Sequence, residues 1–310
     1  MPAPRPDFFI VGAPRCGTTA MYEYLRRHPQ VFMPEHKEPM YFGLDLTQLH
    51  VRLTEADYVR LFRGALPGQR VGEASTWYLY SRTAAREIHE FAPSGQIIIM
   101  LRNPVDVMYS LHRELVFYRG EVIEDFDAAL GAEEDRKRGQ RLGPSRRPEA
   151  LYYRDTVRFT DQVERYFTEF GRPRVKVVIF DDFVRDPGGT YADVLRFLAV
   201  DDTFRPEFER VNESKRPISP ALQALVVRPP RPLDRLIPFL RRSPLAHQVR
   251  SAFLSANSRT SERPPMPSDL RDRLTREFSP EVARLSDLID RDLSRWTQVD
   301  EQPSEAAIVA

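Results

Sequence analysis

The chain has 310 residues, 41% of them hydrophobic and 29% charged, with a net charge of +1. That length accommodates one large or two small domains, and the composition excludes a disordered or fibrous protein. The near-neutral charge leaves no global field that selects nucleic acid or membrane, and the single cysteine, Cys16, excludes an internal disulfide and a thiolate-rich zinc site.

The N-terminal Met1-Pro2-Ala3-Pro4-Arg5-Pro6 carries no apolar signal core, and no stretch approaches transmembrane length, so the expectation is a cytoplasmic, reducing location. Phe8-Phe9-Ile10-Val11 is an apolar run that reads as a buried strand. It stops at Gly12 and Pro14, and Thr18 and Thr19 open a helical pattern reaching about His28. A strand, a glycine-bounded loop and a helix start together make a phosphate site, because the helix N-terminus offers unpaired N–H groups and partial positive charge. Arg15 adds a full charge inside that loop. Gly12 and Gly17 match the glycines of the nucleotide P-loop, but Thr18 stands where that motif requires lysine. An ordinary strand–turn–helix corner is the plainer alternative.

Next, two prolines bracket Gln30-Val31-Phe32-Met33 as an extended segment, and the polar cluster Glu35-His36-Lys37-Glu38 runs into Pro39-Met40-Tyr41-Phe42. Asp57 to Phe62 reads as a short helix, Arg70 to Ser75 as a strand end, and Thr83 to Phe91 as a helix. Ile97-Ile98-Ile99-Met100-Leu101 suits a parallel strand buried on both faces. It ends in Arg102-Asn103-Pro104, ahead of a helix with Val107, Met108, Leu111 and Leu115 on one side. Arg102 therefore stands at the carboxyl end of a strand, the edge where open α/β sheets bind ligands.

Glu133 to Arg147 is charged and aperiodic, which predicts a solvated loop in preference to a substrate lid. Phe159, Val163, Tyr166, Phe167 and Phe170 mark one face of a long helix, Val175 to Phe180 is another strand, and Tyr191 to Leu198 another helix. Strands alternating with helices predict a parallel sheet with helices on both faces. From Pro206 to Pro267 the texture changes. Eleven of the 27 prolines fall there, and Lys215 to Arg263 holds ten Lys/Arg against two Asp/Glu. That segment reads either as short helices with solvated basic faces or as a basic cover over an anionic ligand. A helical pair from Ser268 to Trp296 and a loose tail close the chain.

Three features together resemble the sulfotransferases that use 3′-phosphoadenosine 5′-phosphosulfate (PAPS), closest to the carbohydrate, heparan-sulfate-type branch and its bacterial relatives. Pro14-Arg15-Cys16-Gly17-Thr18-Thr19 is similar to the family's 5′-phosphosulfate loop. Leu101-Arg102-Asn103-Pro104 with Ser110 is similar to its 3′-phosphate motif, and Lys37-Glu38-Pro39-Met40-Tyr41-Phe42 to the segment carrying the acidic base. Gly72 to Leu79, Phe180-Asp181-Asp182-Phe183 and Asp292 to Trp296 add support.

The resemblance implies an α/β fold, a P-loop-like three-layer sandwich with a central parallel sheet and helices on both faces. It implies one sulfotransferase domain over 1–310: a core with the PAPS site over 1–200, the basic segment and closing helices over 201–296, and the tail over 297–310. The implied donor is PAPS and the product PAP, with no metal. Arg15, Cys16, Gly17, Thr18, Thr19 and Ala20 would hold the 5′-phosphosulfate, and Arg102 and Ser110 the 3′-phosphate. Tyr153, Arg259 and Arg263 are further implied donor contacts. Glu38 would be the general base, with Glu73, Glu35 and His36 in reserve, and Arg15 the charge on the leaving phosphate. Lys37, Glu73, Ser75 and Tyr78 would meet the acceptor.

Two departures matter. Arg15 replaces the lysine of many members, and arginine practically cannot donate a proton, so it implies electrostatic stabilisation. Ala74 stands where some carbohydrate members carry a lysine that meets an acidic acceptor, and the absence of that lysine speaks against a heavily charged polysaccharide as acceptor. The expected acceptor is a hydroxyl of a carbohydrate, lipid or small molecule. No nucleic acid partner is expected, peripheral membrane contact is expected only through 215–263, and the oligomeric state is open. A P-loop kinase or NTPase-like phosphoryl transferase would need the missing lysine and a magnesium-binding Asp after a later strand, where this chain has Arg102. A non-catalytic nucleotide-binding protein would keep the loops without the chemistry.

Overall fold

The computed structural model describes residues 4–47, 52–143, 145, 147–208, 215–217, 258–260 and 265–298, with the side chains of 215–217 and 258–260 excepted. Strands β1 (Phe8–Gly12), β2 (Val31–Phe32), β3 (Arg70–Ala74), β4 (Gln96–Leu101) and β5 (Val175–Ile179) form one sheet in the order β2-β3-β1-β4-β5, all pairs parallel. Every residue of β1 is buried, as are Ile97 to Leu101 of β4, which is the signature of a parallel sheet covered on both faces.

Helices α1 (Thr18–Arg26), α2 (Glu55–Arg60), α3 (Ala84–Phe91), α4 (Pro104–Phe117), α5 (Phe126–Gly131), α6 (Glu133–Lys137), α7 (Tyr153–Thr156), α8 (Phe159–Phe170), α9 (Phe180–Arg185) and α10 (Pro187–Phe197) follow the strands in the predicted alternation. Local chemistry sets their starts. Thr54, Asn103, Asp125 and Asp186 each accept a backbone N–H at the first turn of α2, α4, α5 and α10, and Pro104 and Pro187 pre-set the first helical φ. Two short strands, β6 (Lys215–Pro217) and β7 (Ser258–Thr260), pair antiparallel. The other positions of the basic segment, and those beyond 298, lie outside the described residues.

The order of strands explains where a ligand can bind. From β1 the chain moves out to β2, returns to β3 beside β1, then crosses to β4 and β5 on the other flank. The connections leaving β1 therefore part at the carboxyl edge of the sheet, the crevice that open α/β sheets use for ligands.

Two expectations need correction. The expected closing helical pair is one helix, α11 (Ser268–Ile289), which continues through Pro280 and is followed by a 3₁₀ turn at Ser294–Thr297. It packs on α8 and α4, with Glu281 accepting from Thr160 N at 2.8 Å and Arg271 donating to Asp106 at 2.8 Å. Nor is Glu133 to Arg147 simply a solvated loop. It begins with α6, and Glu133, Arg136 and Arg147 are buried. Arg136 pairs with Glu121 at 2.7 Å and donates to the carbonyls of Ala129 and Leu151. A charge-rich composition looked solvated because its partners lie elsewhere in the sequence.

Candidate active site

The loop leaving β1 is pinned where Ala13 N donates to Met100 O at 2.7 Å. Arg15 follows at φ 66°, a left-handed conformation that costs a non-glycine residue on the order of 1–3 kcal/mol. Its Nε donates to Ser110 Oγ at 2.9 Å and its Nη1 pairs with Glu114 at 2.9 Å. Ser110 and Glu114 are one turn apart on α4 and so share a face. Gly17 is at φ 84°, and a Cβ there would lie 3.0 Å from the Phe180 ring. It opens α1 with no acidic residue in the first turn and without the side-chain cap that α2, α4, α5 and α10 have. The start of α1 is therefore a cradle whose N–H groups and helix dipole favour an anion.

Cys16 takes no part through its side chain. It is fully buried with its thiol on Pro14 O, and burial pushes the thiol up to about 12, which leaves no thiolate to react. Only its backbone can serve the expected donor contact.

The loop after β2 carries Glu38 at φ 64° and Met40 at φ 52°, two more left-handed residues. A buried scaffold holds it. Glu38 N donates to Ala74 O at 2.9 Å, Met40 N to Ser75 Oγ at 3.2 Å, and Tyr41 N and Phe42 N to the Tyr78 hydroxyl at 2.9 and 3.3 Å. Ser75 and Tyr78 in turn donate to Glu73, as does Tyr58 at 2.7 Å. The Glu38 carboxylate accepts from Thr76 N and Thr76 Oγ1, both at 3.0 Å, and from Lys37 Nζ.

The expected acceptor contacts at Glu73, Ser75 and Tyr78 are therefore corrected. All three are fully buried and spend their polar atoms on one another and on the Glu38 loop. Burial raises Glu73 to about 7, against the hydrogen bonds it accepts and with the help of the Glu38 charge. It cannot reach an acceptor as a reserve base.

Arg15, Thr18, Thr19, Lys37, Glu38 and Thr76 line one cleft of about 490 Å³. Ser110 is buried and joins the site through Arg15. Arg102 is outside that lining, with its guanidinium 4.8 Å from the Phe180 ring and 3.5 Å from Asp106. Phe180 thus touches both the Gly17 turn and Arg102. Ala20 is half-buried on α1. Tyr153 is a further correction. It is fully buried and its hydroxyl donates to Glu121 at 2.8 Å, within the Glu121–Arg136 pair. The Arg259 side chain and Arg263 lie outside the described residues. Among the described residues there is no His, Cys, Asp and Glu cluster that could hold a metal, and no helix long and apolar enough to cross a membrane.

Sequence reasoning missed Thr76, Glu114 and Arg147, all of which line the cleft. Glu114 had a signal, its four-residue spacing from Ser110. Thr76 lay inside a quoted stretch but was not singled out.

A family model described as the sulfotransferase family matches residues 6–204. A crystal structure of a sulfotransferase from Alicyclobacillus acidocaldarius is 32% identical, covers 95% of this chain and 100% of that chain, and superposes with a TM-score of 0.72. Carbohydrate sulfotransferase 15 of Homo sapiens is 31% identical over 147 residues, 34% of this chain and 26% of that protein. Heparan sulfate glucosamine 3-O-sulfotransferase 6 of Homo sapiens is 36% identical over 103 residues, 32% of this chain and 28% of that protein. The chain thus spans little more than a quarter of the length of these curated relatives. With the family match running through the parallel sheet and the loops that form the cleft, this chain belongs to the sulfotransferase family.

Proposed function

We propose that the chain moves a sulfo group from PAPS to a hydroxyl of a carbohydrate acceptor and releases PAP. The observation that carries this reading is that Arg15 and Glu38, an anion-binding cation and a candidate base, line the same cleft. The uncapped start of α1 and the tight Gly17 turn fit a phosphosulfate, and the names of two curated relatives support the carbohydrate class.

The donor supplies an activated sulfur–oxygen bond to a phosphate leaving group. Glu38 takes the proton of the acceptor hydroxyl as its oxygen bonds to sulfur in line with the departing phosphate. Thr76 and Lys37 keep the carboxylate aimed. Arg15 and the α1 N–H groups neutralise the charge gathering on the leaving phosphate, and arginine does this without proton transfer. Arg102 and Ser110 hold the 3′-phosphate. Glu114 occupies Arg15 in the free protein and gives way to the donor.

Thermal-shift measurement with PAP, with ATP–Mg²⁺ and with buffer tests the donor. PAP at a hundred times its Kd should stabilise by ~2.7 kcal/mol, and ATP–Mg²⁺ should do nothing. Stabilisation by ATP–Mg²⁺ alone would overturn the assignment. Mass gain of one sulfo group on a carbohydrate panel then tests the acceptor class.

A further inference from the structure

Two buried arginines follow α5, and among the described residues only one makes an ion pair. Arg136 is paired with Glu121 and donates to two carbonyls. Arg147 has 6% relative exposure and makes no ion pair among the described residues, and its buried Nη1 has no hydrogen-bond partner there. Burying a charge without a partner is costly, so a fold does not place one there for its own stability. Glu149, two residues on, makes no ion pair with it: its Oε1 accepts from the N–H and hydroxyl of Thr47, and its buried Oε2 has no hydrogen-bond partner among the described residues either.

The position of Arg147 is functional rather than peripheral. It lines the cleft that contains Arg15 and Glu38. Its guanidinium lies 5.0 Å from the centroid of Trp77, a cation–π contact that fixes the plane of the fork. Trp77 directly follows Thr76, the residue that clamps Glu38. Of the charges acting on Arg147, that of Glu38 is the largest. An acceptor that offers a hydroxyl to Glu38 therefore presents its neighbouring groups to Arg147. A planar guanidinium matches a carboxylate or a sulfate with two parallel hydrogen bonds. β3 supplies no cation at Ala74.

We propose that Arg147, held by Trp77, binds an anionic group of the acceptor, so that the substrate is an acidic carbohydrate carrying its carboxylate or sulfate close to the hydroxyl that meets Glu38. This rests on the sulfo-transfer reading of the cleft and adds the charge of the acceptor to it.

The test uses the full chain saturated with PAP and three disaccharide probes. One is an unsulfated glucuronate–N-acetylglucosamine disaccharide, the second its neutral glucose counterpart, and the third that neutral compound with a single 6-sulfate. Calorimetry should show an acidic probe bound ~10-fold or more tightly than the neutral one, the size of a charge-assisted contact. The carboxylate and sulfate arms distinguish which anion is preferred. Arg147→Met should erase the preference and leave PAP affinity intact. Its melting temperature should hold or rise, because an unpaired buried cation is exchanged for an apolar chain of similar length. Arg147→Lys, which keeps charge without the fork, should retain part of the preference. Equal affinity for all three probes, no binding of any probe beside bound PAP, or a preference that survives in Arg147→Met overturns the proposal. Failure of PAP itself to bind would strike the donor assignment, and this proposal with it.

Discussion

The two sides of the cleft are held in opposite ways. On the side of the β1 loop and α4, the Arg15 guanidinium is gripped by the side chains of Ser110 and Glu114, in a pair left 23% and 34% exposed. On the side of the β2 and β3 loops, the Glu38 carboxylate is gripped by a backbone N–H and a hydroxyl of Thr76. Its loop rests on the fully buried Glu73, Ser75 and Tyr78. The first side contains a carboxylate that a phosphate can replace. The second contains nothing a ligand needs to move. In the mechanism we propose, an enzyme arranged this way would exchange partners where the donor binds and be already organised where the proton is taken.

The largest expected effect tests the organised side. Glu38→Gln keeps an oxygen for one of the two Thr76 bonds and removes the base together with the charge beside Lys37, so turnover should fall ~10²- to 10⁴-fold with PAP affinity unchanged. Single-turnover kinetics beside calorimetry with PAP separates the two quantities. Turnover within a few-fold of wild type would show that Glu38 is not the base, and the rigidity of its loop would then need another reason.

This contrast also marks what the sequence could and could not reveal. β1 and β4 were legible because strands buried on both faces are written as unbroken apolar runs, Phe8 to Val11 and Ile97 to Leu101. That Arg15 and Glu38 meet in one cleft was legible because each lies in a short contiguous motif in a loop. The scaffold under Glu38 was misread. Glu73, Ser75 and Tyr78 are polar residues in a motif-like stretch, and only the fold shows that they face Met40, Tyr41 and Phe42 rather than solvent. Arg136 and Arg147 were lost in a charged, aperiodic run, because a buried charge is recognised by a partner distant in sequence, Glu121 or Trp77. The pairing of Arg15 with Glu114 spans 99 positions and carries no local signal beyond the spacing along α4.

A smaller effect tests the exchangeable side. A partly exposed ion pair contributes ~0–1 kcal/mol. Removing the competitor with Glu114→Gln should therefore tighten PAP binding by up to ~5-fold, most visibly at low salt where the pair is least screened. Titration calorimetry at two ionic strengths reads this directly. Weaker binding instead would mean that Glu114 holds Arg15 in its working position, and the two sides would then be alike.

The subtlest effect concerns the foundation of the organised side. The Glu73 carboxyl, held near 7 in the folded chain against an ordinary 4.5, binds its proton more tightly folded than unfolded. Below about 4.5 both states are protonated and the contribution to stability is complete. As pH rises from there to about 7 the unfolded chain ionises first, so stability falls through that window and levels off above it. In Glu73→Gln this part of the slope should vanish, since the amide does not titrate. Urea midpoints for the two proteins across pH 4 to 8 would show converging or diverging curves. Parallel curves would mean that Glu73 titrates alike in both states. The three hydroxyls donated by Tyr58, Ser75 and Tyr78 would then offset its burial, and the Glu38 loop would rest on a buried charge at neutral pH.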